Sequence, residues 1–582
     1  MAFFFVSTIK GAWADDAKHL FFNGRFRFVF VGLPKRALTK SIYYEKHTYV
    51  TRQMRFCSSR FCRCEHAHIF MHKSNKMHVS TFCILRYNDM KFRYSIVWLL
   101  ACMLMTCLMG CREEQSFSSD SAFRLSFSTD TVSFDTLFTE VSSSTYSLLI
   151  YNRNKDGLRI ASAHLSGGDE SPFRVNLDGL AGTSFSDLVV RGGDSLFVFV
   201  EVTVDPRGQD EPFEVCDSLL FSLESGVTQQ IQLRAYGQDA TVLRGFVVDS
   251  DMRFTSHRPY LVYDSLRVEE GSVLYLDAGT RLYFHDGVEM QVYGSLEAVG
   301  TKDSPIVFRG ARTDHMFSYL PYDRLSAQWG GITLHPSSFD NIFIHCDIHS
   351  GTYGLRAENL DMTRQKLTMQ DSQIHNVDED ALQLTLCAAS FANSLFTNAG
   401  GHCVNLLGGQ MTFMHCTMAN FFPWKSERGE AVNISNYVEE EQIVYPLLGV
   451  DFINSIITGS KDDELAGLVI EKGDTADYSA YAQFSFTHSL INSKGEARDP
   501  DTLRFSNIVW EHKDSAAYGR TNFRTIDHDE FIYDFHLDSL SVARGIASPE
   551  YIQKFPYDKD EQPRHGNGSI DAGCYQYIEH EE

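Results

Sequence analysis

Phe391-Ala-Asn-Ser-Leu-Phe396 and, 22 residues later, Phe413-Met-His-Cys-Thr-Met418 are two copies of one short pattern that decides how the chain is read. An apolar residue is followed after one position by His, Asp or Asn, then by Cys or Ser, and after one more position by a second apolar residue. The same form returns at Phe343–Ile348, Met369–Ile374, Phe452–Ile457 and Phe486–Ile491, with starts 26, 22, 22, 39 and 34 residues apart. A coil of a parallel β-solenoid takes about that many residues, and the two long spacings read as loop insertions on one side.

A second strand repeats in phase with the first, at Gly331–Leu334, Gly354–Ala357, Ala381–Leu384, Cys403–Leu406 and Ala431–Ile434. Because side chains alternate along a strand, Ile332, Leu355, Leu382, Val404 and Val432 are predicted to point inward, each stacked on the next. Further upstream, Leu266-x-Val268, Leu274-x-Leu276, Leu282-x-Phe284 and Met290-x-Val292 recur every eight residues, with Gly271, Gly279, Gly287 and Gly294 between them. Short strands joined by tight turns at a fixed period again predict a solenoid.

Before the repeats, residues 123–240 carry alternating strands such as Leu196–Val202 and Ile231–Ala235, cut at short intervals by Asn152-Arg-Asn154, Gly167-Gly168 and Gly192-Gly-Asp194. This spacing predicts a small immunoglobulin-like β-sandwich, although the Cys…Trp…Cys signature of true immunoglobulin domains is absent and a short barrel reads almost alike. The fold class is therefore all-β: a sandwich over 123–240, then a parallel β-helix over 245–577.

The stretch beginning at Met90, MKFRYSIVWLLACMLMTCLMGCREE, has the three parts of a secretory signal: Lys91 and Arg93, an apolar run from Ile96 to Leu108, and small residues at Gly110 and Cys111. That run is too short to span a bilayer, which takes about 20 apolar residues. Its ending, Leu108-Met109-Gly110-Cys111, resembles the lipobox of bacterial lipoproteins. The resemblance implies acylation of Cys111, a signal peptide over 90–111 and a tether over 112–122. Residues 1–89 hold 15 Lys+Arg against 5 Asp+Glu, whereas 90–582 hold 37 against 70. So sharp a change predicts that synthesis begins at Met90 and that 1–89 is an upstream translated region, spurious or unstructured; the alternative is a genuine basic leader domain. The acidity beyond Met90 argues against a nucleic-acid partner. Six cysteines thinly spread after Cys111 make no disulfide scaffold.

The region 245–577 resembles right-handed parallel β-helix proteins of the pectate-lyase-like superfamily, and its tail, Asp558 … Pro563-Arg564 … Gly568–Gln576, is similar to the closing motif of such proteins. As a whole, the chain after Cys111 resembles surface lipoproteins of Gram-negative anaerobes, and Cys111-Arg-Glu-Glu is similar to their export signal for the outer face. The resemblance implies the handedness of the helix and a lipid-anchored place at the outer membrane, facing the exterior. It does not imply an activity.

Two columns of the repeat carry polar chemistry. His345, Asp371, Asn393, His415, Asn454 and His488 hold equivalent positions, and a ladder of polar side chains that satisfies a backbone bend is the expected role for a column spread this evenly. In the second column Asp380, His402 and Glu430 stand on consecutive coils, beside the outward Arg356, Gln383, Asn405 and Asn433. At about 4.8 Å per strand the two carboxylates are expected roughly 9.6 Å apart, near the upper limit for an inverting glycosidase pair. Asp380, His402 and Glu430 are thus the catalytic candidates, with plain outward surface as the alternative; Arg356, Gln383, Asn405, Asn433 and Tyr353 are the ligand-binding candidates, with Trp329 and Trp424 as further rings, and for Tyr353, Trp329 and Trp424 packing against the chain is an equal alternative to stacking on a sugar. Against catalysis, the chain lacks the Asn-Thr-Asp, Asp-Asp and Gly-His-Gly set of polygalacturonases and the dense Lys/Arg groove of uronate lyases.

No metal ligands and no cofactor are expected. The cluster Cys57, Cys62, Cys64, His66 and His68 misses the usual zinc spacing, and the acidic runs Glu439–Glu441 and Asp462–Glu464, which could hold calcium, lack a spaced loop and read as solvated insertions. Three functions stand open: a surface platform that binds glycan or a partner protein without catalysis, a polysaccharide lyase or glycoside hydrolase acting on the same strand face, and a structural stalk or assembly component.

Overall fold

The computed structural model describes residues 116–359, 361–473, 477–494, 504–564 and 569–579. The expected signal peptide, the expected lipidation site Cys111, residues 1–89 and the start of the expected tether lie outside the described residues. Everything described is all-β, with short 3-10 turns as its only helical elements among the described residues.

Two five-stranded sheets come first. Thr131–Phe138, Leu158–Leu165, Ser184–Val190, Phe213–Leu223 and Thr228–Gln238 form one, and Ser126–Phe127, Tyr146–Tyr151, Phe173–Leu177, Leu180–Gly182 and Ser195–Val202 form the other. The alternation read from Leu196–Val202 is the reason they pack: Leu196, Val198, Val200 and Val202 are buried and join Val132, Ile150, Ile160, Phe221 and Ile231 in one apolar core.

From Thr241 onward the chain turns into long parallel sheets of ten and eighteen strands, an arrangement consistent with a β-helix or solenoid. The pairings resolve it into three ladders. The first is the ten-stranded sheet, from Met252–Phe254 to Phe505–Ser506. The second runs through Arg281–Phe284, Ile306–Gly310, Cys346–His349, Gln373–Val377, Leu395–Ala399, Thr417–Asn420 and Ile456–Gly459. The third runs through Glu289–Val292, Gly331–Leu334, Leu355–Glu358, Leu382–Thr385, Val404–Leu407 and Val432–Ser435.

The two sequence periods are one geometry at two lengths. Leu266 pairs with Met290, Leu274 with Leu296 and Leu282 with Phe308, so each eight-residue step moves the chain to the next ladder and about three steps bring it to the strand it pairs with. Ile332, Leu355, Leu382, Val404 and Val432 stack in register and are fully buried. Inside the first ladder the rings of Phe391, Phe413, Phe452, Phe486 and Phe505 stack with successive centroids 4.4, 4.7, 4.9 and 5.2 Å apart.

The six-residue pattern is the corner between the first and second ladders. Its third residue turns the chain through the left-handed region: φ is 47° at His345, 50° at Asp371, 47° at Asn393, 52° at His415, 53° at Asn454 and 50° at His488. Side chains that hydrogen-bond locally tolerate that backbone best. They also bond along the stack: Asn393 Nδ2 donates to Asp371 Oδ1 at 3.0 Å and Asn454 Nδ2 to His415 Nε2 at 3.0 Å. The fourth residue adds a hydroxyl column, in which Ser372, Ser455 and Ser489 accept the backbone N–H of Cys346, Cys416 and Ser455.

The tail packs sideways onto the second ladder. Phe523, Phe535, Leu537, Ala572 and Tyr575 form one cluster with Leu395, Ala419, Phe421, Ile456 and Leu490 of the coils. Arg564 is fully buried, and its guanidinium donates to Asn393 Oδ1 at 2.8 Å and to the Gly573 carbonyl at 3.1 Å.

Candidate functional site

On the third ladder the outward positions between the inward Leu, Val and Ile residues are Arg356, Gln383, Asn405 and Asn433, held in register by the same pairings that build the core. Asn433 Nδ2 donates to Asn405 Oδ1 at 2.8 Å, and Asn405 Nδ2 donates to Asp380 Oδ2 at 2.7 Å. Gln383, Asn405 and Asn433 form the floor of a groove of about 380 Å³, together with Thr385 and Ser435. The 39-residue gap in the repeat supplies its wall: a hairpin pairs Tyr437–Val438 with Ile443–Val444, and its Tyr437, Glu439 and Glu440 line the groove. The acidic run Glu439–Glu441, expected as a plain solvated insertion, thus contributes two carboxylates to a concave surface, because the insertion folds back over its own ladder. Among the described residues, no Lys or Arg lines the groove.

At one end of this row Asp380, His402 and Glu430 come together. Asp380 accepts the His402 backbone N–H at 2.7 Å and lies 3.1 Å from His402 Nδ1, while His402 Nε2 is 3.5 Å from Glu430. Lys461 Nζ donates to Glu430 Oε1 at 2.8 Å. Burial pushes the Asp380 carboxyl up, but the hydrogen bonds from His402 and Asn405 reverse it and leave it below the usual carboxylate range. Burial likewise raises Glu430, and the Lys461 ammonium brings it down below its ordinary value. Both shifts run opposite to the raised value that marks a carboxylic general acid in glycoside hydrolysis.

Three expected positions are corrected. Tyr353 is only 3% exposed, its hydroxyl sits 2.8 Å from Thr333 Oγ1, and Arg356 stacks on its ring while pairing with Glu379, so Tyr353 supports Arg356 from below and offers no face to a ligand. Trp329 is fully buried, with its indole N–H donating to the His349 carbonyl at 2.8 Å. Glu464, read as part of a solvated acidic run, is fully buried and paired with Arg428 at 2.6 Å. Trp424 remains exposed and stacks on Phe531.

One group escaped the sequence reading. Asp347 Oδ1 lies 3.0 Å from both His349 Nδ1 and His375 Nε2, and the two imidazoles stack at 4.9 Å. His349 and His375 pair across the second ladder, each one residue past its copy of the six-residue pattern. Extending the pattern by that residue would have brought the two histidines into view.

No family model matches the chain, and no curated protein does. Among solved structures, one similar chain is a protein of unknown function from Porphyromonas gingivalis W83, 12% identical over 22% of this chain and 49% of that one, with a TM-score of 0.15. The chain thus spans about half the length of that protein. A family 123 glycoside hydrolase from Clostridium perfringens is 6% identical over 20% of this chain and 25% of that one, with a TM-score of 0.14. The catalytic domain of a GH87 alpha-1,3-glucanase is 8% identical over 64% of this chain and 91% of that one, with a TM-score of 0.13. The likeness to glycoside hydrolases is weak, and scores this low carry no functional argument.

Proposed function

We propose that the chain is a lipid-anchored outer-membrane protein, exposed at the cell surface, whose right-handed β-helix presents a binding groove for a neutral, hydroxyl-rich glycan, with an immunoglobulin-like sandwich between anchor and helix. The observation that carries the binding reading is the groove itself: a column of amides at Gln383, Asn405 and Asn433, roofed at one side by Glu439 and Glu440 and without a cation among the described residues. Amides repeating at about the 4.8 Å strand spacing suit an extended polymer of hydroxyls, which both accept from N–H and donate to carbonyl oxygen. The two glutamates disfavour a uronate, since like charges repel across a short groove.

Binding is favoured over hydrolysis by the states of Asp380 and Glu430, both ionised and both committed to partners. The test is a glycan array followed by calorimetry and analysis of reducing ends. Gln383→Ala and Asn433→Ala are expected to raise Kd by roughly 5–10-fold each, the worth of about one hydrogen bond, with no product released. Product whose formation disappears with Glu430→Gln would make the protein a hydrolase instead. Failure of any polysaccharide to bind would leave the helix a stalk.

A further inference from the structure

We propose that Asp347, His349 and His375 bind one divalent transition-metal ion, with Zn2+ the ion of first choice, across two neighbouring coils of the second ladder. The three side chains offer one ligand atom each, and all three atoms lie within 4.8 Å of one another. Ligands about 2.0–2.1 Å from a tetrahedral zinc lie roughly 3.3 Å apart, so the 3.0 Å separations of Asp347 Oδ1 from both imidazole nitrogens already approximate two edges of such a site. An ion can enter with little backbone movement once those two nitrogens give up their protons.

The fold holds these atoms in place by register. Asp347 and His349 are two apart on one strand and therefore project to the same side, and His375 is the in-register neighbour of His349 on the next. The set mixes two imidazoles with one carboxylate, a donor combination that suits zinc or non-haem iron better than calcium or magnesium. His349 is buried, so its ring is fixed by packing at the position where the ion would meet it. Asp347 and His375 are each 24% exposed at the side chain, leaving a route in from solvent. A three-ligand site with one open position is of the type that can polarise a bound water. None of these residues belongs to the groove of the third ladder, so the site stands or falls apart from glycan binding.

Calorimetric titration of the purified protein with Zn2+, with stoichiometry checked by elemental analysis, tests the assignment. One ion per chain is expected, accompanied by a rise in melting temperature. His375→Ala, at the less buried histidine, should weaken binding by more than the roughly 10–100-fold that loss of a supporting hydrogen bond costs a metal site. His349→Ala should do the same where circular dichroism shows it folded, and His164→Ala, in the sandwich, should change nothing. Substituting Co2+ should give a tetrahedral spectrum free of thiolate charge transfer, which separates this site from any cysteine ligation. Absence of saturable Zn2+ binding by the folded protein, a thiolate band, or affinity unchanged by His375→Ala would overturn the proposal.

Discussion

Asn454 concentrates in one residue what the corner of every coil demands. Its backbone sits at φ 53°, its Nδ2 donates to the Ser548 carbonyl at 3.1 Å as well as to His415, and its Oδ1 accepts the Ser548 N–H at 2.7 Å. Asn454→Ala would keep the left-handed backbone without the local hydrogen bonds and leave buried groups of Ser548 unpaired, at a cost of about 3 kcal/mol. Asn454→Gly removes the same side chain but relieves the backbone, so its unfolding free energy from urea melts should exceed that of the alanine variant by about 1 kcal/mol, with a correspondingly higher midpoint. Equal midpoints would show that the corner stores no strain. Six of these corners were legible in the sequence because the conformation selects His, Asp or Asn and the turn after it selects Ser or Cys. A further one at Asn507, φ 54°, bonded to His488 Nε2 at 3.0 Å, was not, since Phe505-Ser-Asn-Ile departs from the pattern right after it.

Each ladder buries one stripe of side chains, and the stripe transmits damage along the stack and not across it. Phe413 is fully buried with Phe391 on one face and Phe452 on the other, so Phe413→Ala opens a cavity bounded by rings that cannot close on it and should cost about 3–5 kcal/mol. Hydrogen exchange should then rise in the coils of Phe391 and Phe452 while the sandwich keeps its protection; uniform loss over both would mean that they unfold as one unit. The inward residues of the third ladder were readable from alternation alone, because a strand has only two faces. The groove was readable only in part. Its amide floor lies on the strand face and follows from register, but its hairpin wall belongs to an insertion, where no repeat fixes the geometry. Tyr353 failed as a ligand contact for a related reason: Gly331 leaves the space beside it that the ring fills.

At the scale of the whole molecule, the tail is tied by charge as well as by packing. His536 lies between Asp534 and Asp560 with its ring on Tyr575; burial works against its charge, but the two carboxylates prevail and raise it from 6.5 to about 9. Its contribution to stability is therefore fully present below pH 6.5 and is lost as pH rises through about 9. Protection factors at the amides of Phe523–Asp527 and Ile532–Leu537, with the intrinsic rise of exchange with pH divided out, should fall between those limits, and His536→Gln should flatten the dependence. The sequence marked this tail as a closing segment but could not say where it lies, because its contacts are with residues far away in the chain. Arg564 reaches Asn393, the Cys574 N–H donates to Thr417 Oγ1, and Ser548 bonds Asn454. Those three anchors sit on three successive coils. Repeat proteins commonly gain or lose whole units without harm, since each unit touches only its neighbours. Here the tail acts as a ruler laid along the stack: duplicating the coil that carries Thr417 would move Asn454 a full rung away from Asn393, and removing it would delete one anchor and bring the other two a rung closer, so between Asn393 and Asn454 the number of coils is counted by the chain itself.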